Sequence, residues 1–277
     1  MPSRQAVLAE RYRDAVIDVR NRVSTRVDRT WRDLGSWDEA DVARFQARVL
    51  PVVQAGQRRT VALTDAYLAR ATRTRPVGLV ADDLIGAAVR NGTDPADVYR
   101  RPFVQLWTAL SNGAQFMDAM NAAGVRAAQS ASSDVSLSMR ASADAFQEQA
   151  TGPVESDIIG WERVLDPDAC AYCATASTQR YRSANLAPIH ANCQCGIAPV
   201  FAENDRAIKD FNRQVLRNIK DANAGADRPY WEARHFRVDG TTGEVILPEV
   251  AVHEHGELGA VITDAAHAFS GPGDIPA

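Results

Sequence analysis

Cysteine is scarce in this chain and absent outside one window. Of 277 residues four are cysteine, and all four fall between positions 170 and 195. No uninterrupted apolar run approaches the ~20 residues that a membrane-spanning helix needs, so no such span is expected. Cationic excess is lacking too: Lys and Arg number 31, Asp and Glu 35, and the formal charge is −4. A protein that grips nucleic acid needs clustered cations to displace counterions from phosphates. The whole-chain balance leaves room for weak contact with DNA at most. The start, Met1-Pro2-Ser3-Arg4-Gln5-Ala6, lacks the apolar stretch of a secretory signal, and a reducing cytoplasm is the expected place of synthesis.

Hydrolase signatures are also missing. No G-x-S-x-G occurs, and His253-Glu254-His255 lacks the spacing of H-E-x-x-H, which sets two imidazoles on one helical face. On a strand, His253 and His255 would share a face. Ser130, Ser132, Ser133, Ser136 and Ser138 lie in an Ala/Ser-rich helical stretch, the wrong setting for a strained nucleophile turn.

What is present is helical periodicity over the first 150 residues. Leu8, Tyr12, Val16, Val19, Val23, Val27 and Trp31 form one apolar stripe, ended near Gly35. Ser36 and Glu39 have capping-box spacing for a second helix through Val42, Phe45 and Val49, which Pro51 is expected to kink or divide. The pattern breaks at Thr74-Arg75-Pro76, and Asn91-Gly92 closes a short helix. Asp94-Pro95 starts another, Pro102 is expected to interrupt it, and Asn112-Gly113 stops it. Residues 114–150 read as a long helix whose small side chains favour close approach of neighbours. The aromatic residues of this half read as core.

Beyond Thr151-Gly152-Pro153 the character changes. Residues 158–165 and 196–201 read as strands flanking the cysteine window, residues 203–223 as an amphipathic helix, and 235–238 with 244–247 as a hairpin. The expected class is α+β: a helical domain over 1–150, a small α+β metal-knuckle domain over 151–202, and a C-terminal helix, hairpin and loose tail over 203–277.

The window itself reads Cys170-x2-Cys173, a 16-residue gap, then His190-x2-Cys193-x-Cys195. Each Cys-x2-Cys or His-x2-Cys turn brings two donors to one side of a bend, and two such halves make a tetrahedral site suited to Zn(II). Five candidates compete for four positions: Cys170, Cys173 and His190, with Cys193 or Cys195 as the fourth. A surplus of donors argues for a closed, structural site with no position left for catalytic water. Two disulfides, or reduced thiols without metal, are the alternatives.

The residues that frame the window resemble a known family. Gly160-Trp161-Glu162-Arg163-Val164, Cys170-Ala171-Tyr172-Cys173, Ser177-Thr178-Gln179-Arg180-Tyr181, Pro188 to Cys195 and Pro199-Val200-Phe201 are similar to the phage Mu F-like (MuF) minor head protein domain, in the versions found in actinobacterial phages. Asp94-Pro95 to Leu110 and His255 to Gly259 resemble other parts of those proteins. The resemblance implies a minor capsid protein of head morphogenesis, assembled in the bacterial cytoplasm and carried inside the virion at the portal vertex. Its partners would be the portal protein, with scaffold and major capsid protein as further contacts. Some relatives are labelled capsid maturation proteases, so a protease is the competing expectation, with a zinc-ribbon nucleic-acid binder as a third. In the structural reading the zinc clip would stiffen the 174–189 loop, with Arg180, Tyr181 and Arg182 as candidates for touching a partner.

Overall fold

A computed structural model of the chain describes residues 4–150, 158–165, 173, 176–189, 195–204, 209, 213, 217, 237–238, 245–246, 250–255 and 259–264. Four long helices dominate: α1 (Arg4–Arg32), α2 (Glu39–Thr72), α3 (Pro95–Ser111) and α4 (Phe116–Gln149). Two short 3-10 turns, Ala81–Leu84 and Gly86–Arg90, lie between α2 and α3. The fold is mostly helical with small antiparallel strand pairs, in keeping with an α+β class.

On α1 the stripe Tyr12, Val16, Val23, Val27 and Trp31 is buried, while Arg22–Asp18 and Arg32–Asp28 pair across one turn on the outside. Trp31, Phe45 and Phe103 meet edge to face, with centroids 4.8 to 5.6 Å apart. Trp31 also donates its indole N–H to the Met120 carbonyl at 3.0 Å. Gly124 makes that approach possible, because a Cβ there would lie 2.7 Å from the Trp31 ring. The small residues of α4 therefore act as expected, seating a large side chain of α1.

Two local expectations fail, and of the two outcomes expected at Pro51 division does not occur. The N-cap of α2 is Asp38, not Ser36, and its carboxylate accepts from the Asp41 N–H at 3.0 Å. Trp37 turns the chain with a left-handed φ of 50°, which moves the cap two residues on. Asp41 then accepts from the Ser36 N–H, the Ser36 hydroxyl and the Trp37 N–H, while Glu39 pairs with Arg100. Burial works to raise the Asp41 carboxyl, but these donors and Arg44 hold it below its ordinary value. Helix α2 runs unbroken through Pro51. Pro51 and Ala47, whose carbonyl loses its partner, are both on the exposed face, where solvent lowers the cost of that loss. Helix α3 continues through Pro102, because Val98, Tyr99, Phe103 and Leu106 anchor it on both sides of the proline.

A polar layer crosses the bundle. Asp134 of α4 accepts from the Arg90 Nε at 2.5 Å and from the Tyr99 hydroxyl at 2.6 Å, and the Asp134 carbonyl accepts from Gln57 at 3.3 Å. Gln57 in turn accepts from the Gly86 N–H at 3.3 Å. One buried carboxylate thus fixes α3, α4 and the second 3-10 turn, with α2 tied in through Gln57.

Strands β1 (Ile158–Val164) and β2 (Gly196–Phe201) pair antiparallel, with Trp161 opposite Pro199, Glu162 opposite Ala198 and Arg163 opposite Ile197. They match the two expected strands. The apolar core is continuous from the helices into this pair: Trp161, Ala184, Leu186, Ile197 and Ala198 belong to the same buried cluster as Trp31 and Phe45. The expected hairpin appears as β3 (Arg237–Val238) and β4 (Val245–Ile246). A second hairpin, β5 (Val250–His255) with β6 (Gly259–Asp264), was not anticipated. Most of the expected 203–223 helix lies outside the described residues.

Candidate metal centre

The cysteine window is the loop between β1 and β2, so the strand pair brings its two ends together. Cys173 comes from the loop and Cys195 immediately precedes β2. Both are buried, 3% and 1% exposed, and they share one small apolar cluster with Leu165 and Ile189, separate from the main core. Two of the five donor candidates, from opposite sides of the 16-residue gap, therefore occupy one pocket of structure. Cys170, His190 and Cys193 lie outside the described residues. Among the described residues no group of three or more Cys, His, Asp or Glu is gathered for a metal.

The donor chemistry fits Zn(II) in kind. Two sulfurs in an apolar, water-poor setting are suitable ligands for a borderline-soft cation. Cys173 and Cys195 would supply two of the positions.

The surrounding framework is built by residues the motif does not include. Tyr181 bridges to β1, exchanging 2.8 Å backbone hydrogen bonds with Trp161 in both directions. Its hydroxyl donates to the Ala176 carbonyl at 2.9 Å, and the Arg163 guanidinium lies over its ring at 5.3 Å. Arg163 also donates to the Ala187 carbonyl at 2.6 Å. Gln147 of α4 accepts from the Ala184 N–H at 2.6 Å. At the other end, Arg140 of α4 reaches the Cys195 carbonyl at 3.5 Å. The 176–189 loop is thus fastened to β1 and α4 through protein contacts. Tyr181 is an internal staple, whereas Arg180 and Arg182 are exposed. Gly160 admits this arrangement: a Cβ there would sit 2.5 Å from the Arg180 Cγ and 2.9 Å from the Tyr181 carbonyl oxygen.

Comparison with family models, curated proteins and solved structures finds no match. The site is therefore read from its own residues.

Beside the loop, Glu162 is the most strongly shifted carboxylate among the described residues. Burial pushes its carboxyl up to about 7, with Arg180 pulling the other way. It acts electrostatically on Tyr67, whose phenol is raised first by burial and then by Tyr12 and Glu162. Sequence reasoning named Glu162 and Arg163 only within the resembling motif and did not single out Arg140, because a charged residue in a strand or helix carries no local sign that it will be withdrawn from solvent. Of the α4 serines that bear on a protease reading, Ser130 and Ser133 are half-buried and Ser132, Ser136 and Ser138 are buried; the Ser136 and Ser138 hydroxyls have no hydrogen-bond partner among the described residues. His253 and His255 both fall on β5.

Proposed function

We propose that this chain is a structural and assembly protein whose 158–201 module is clamped by a structural Zn(II) held by Cys173 and Cys195 together with donors from Cys170, His190 and Cys193. With the MuF resemblance, the reading becomes a minor capsid protein of phage head morphogenesis, carried inside the particle and docked on the portal. The observation that supports it is the meeting of Cys173 and Cys195 in one buried cluster at the base of the β1–β2 pair. When bound, the metal would supply cross-linking and not chemistry on a substrate, because a closed donor shell leaves no position for reactive water. Thiolates bind only after losing a proton, and the site exists only in the folded chain, so metal affinity adds to folding stability.

The helical half supplies the rigid body from which the module is presented. Of the α4 serines Ser132, Ser136 and Ser138 are buried, a setting that does not favour a protease nucleophile there, while Ser130 and Ser133 are half-buried. The assembly role is tested in particles. Immuno-detection of the chain at the portal vertex, with portal protein co-purifying, is the expected result. Absence from mature particles, with inhibitor-sensitive cleavage of the major capsid protein by the purified chain, would replace this reading with the protease.

A further inference from the structure

The solvent face of α2 carries arginines with no carboxylate between them. Arg44, Arg48, Arg58, Arg59 and Arg70 are all exposed, and at 100° per residue they fall on one face of the helix. Arg73 and Arg75 extend the series just past its C-terminus. Between Val42 and Arg75 the chain has a single carboxylate, Asp65. It is buried and turned inward, accepting from the backbone N–H groups of Val77, Gly78 and Leu79 at 2.9 to 3.3 Å. Arg44 pairs with Asp41 and Arg58 with Asp82, at the margins of the stripe. Among the described residues Arg48, Arg59, Arg70, Arg73 and Arg75 make no ion pair. On α1, by contrast, aspartates are interleaved with the arginines: Arg13, Arg22 and Arg32 each pair with one, while Arg11, Arg26 and Arg29 are exposed and make no ion pair among the described residues. Like charges one turn apart, such as Arg44 and Arg48, weaken a helix, so α2 carries this pattern at a cost to its own stability.

We infer that the outer face of α2 binds the phosphate backbone of duplex DNA. This rests on the helix face alone and stands whether or not the metal-clamp reading does. The charge is complementary, and planar guanidinium groups match phosphate oxygens in pairs. Length fits as well: α2 is an unbroken helix of 34 residues, about 50 Å, the span of roughly 15 base pairs at 3.4 Å each. The residues between the arginines are small, among them Ala47, Pro51, Ala55, Ala62 and Ala66, so a rod can lie close along the helix. Large apolar or aromatic anchors, which a protein-binding face uses, are missing from the stripe. The acidic whole-chain charge conceals this face, because the compensating carboxylates lie elsewhere. No base reading is implied, and binding is independent of sequence.

The test measures fluorescence anisotropy of a labelled duplex of roughly 30 base pairs, twice the α2 span, against the full chain over a range of NaCl concentrations. If five phosphates are engaged, log K falls against log salt with a slope of about −4 to −5. The triple variant Arg48→Gln, Arg59→Gln, Arg70→Gln is expected to bring the slope to about −2, each lost contact removing about 0.9. The Lys version of the same triple keeps the charge and should restore the slope. A control of equal charge change on α1, Arg11→Gln, Arg26→Gln, Arg29→Gln, should leave it unchanged. Equal loss in the α1 and α2 triples, or no binding in low salt, overturns the proposal. So does poly-glutamate binding that matches DNA and depends on the same arginines, which would assign the face to an acidic protein.

Discussion

Glu162 ties one carboxyl to the stability of the whole strand pair. Its folded value of about 7 lies above the 4.5 of a free glutamate, because burial disfavours the charge. The folded state then holds more protons than the unfolded one between those values. The associated stability is complete below about pH 4.5 and is lost as pH rises through about 7. Glu162→Gln should remove this slope and raise stability at pH 8 by about 1–3 kcal/mol, from the size of the shift. Denaturant melts of both proteins at pH 5 and pH 8 measure it. A variant that loses stability at both pH values would show that the carboxylate is favourably paired. Gly160 is the second such residue. Gly160→Ala drives a methyl into the Arg180 side chain and the Tyr181 carbonyl, so a loss of about 1–3 kcal/mol is expected, as for other overpacked sites. An unchanged melting temperature would mean that the Tyr181 bridge gives way at no cost.

At the scale of elements, the buried Asp134 is where a single change does most damage. Asp134→Ala strands Arg90 inside the bundle and removes the acceptor of Tyr99, at an expected cost of about 3–5 kcal/mol. Replacing both partners, as in Arg90→Met with Asp134→Leu, should cost clearly less, because no charge is left unpaired. Equal losses in the single and double variants would deny the pairing any special role. The long helices themselves were legible in the sequence, since their apolar stripes and stop signals are local. The Asp94 cap and the αL residue Asn91 also stand where the residues imply. The division expected at Pro51 and the interruption expected at Pro102 do not occur, because a proline is judged by its neighbours along the chain while its true cost depends on solvent and packing across the bundle. The β5–β6 pair escaped notice because the sequence between its strands, Gly256-Glu257-Leu258, carries no strong two-residue signal.

Across the whole molecule, helices and strand pair share one core, and the cysteine window hangs from its edge. Its motif was legible because donor spacing is short-range; its fastening by Arg163 to Ala187, Tyr181 to Trp161 and Gln147 to Ala184 was not, since those contacts join separate segments of the chain. This layout separates two kinds of support. Loss of the metal should loosen the window while α1 to α4 keep their helicity, so Cys173→Ser is expected to lower the melting temperature with little change in far-UV circular dichroism. A collapse of helical signal would place the cysteines in the foundation of the bundle.

Metal analysis of the purified full-length chain bears on the central claim most directly. One zinc per chain, lost in both Cys173→Ser and Cys195→Ser, is the predicted result. A metal-free protein whose near-UV signal from Trp161 is the same with and without a chelator would contradict it.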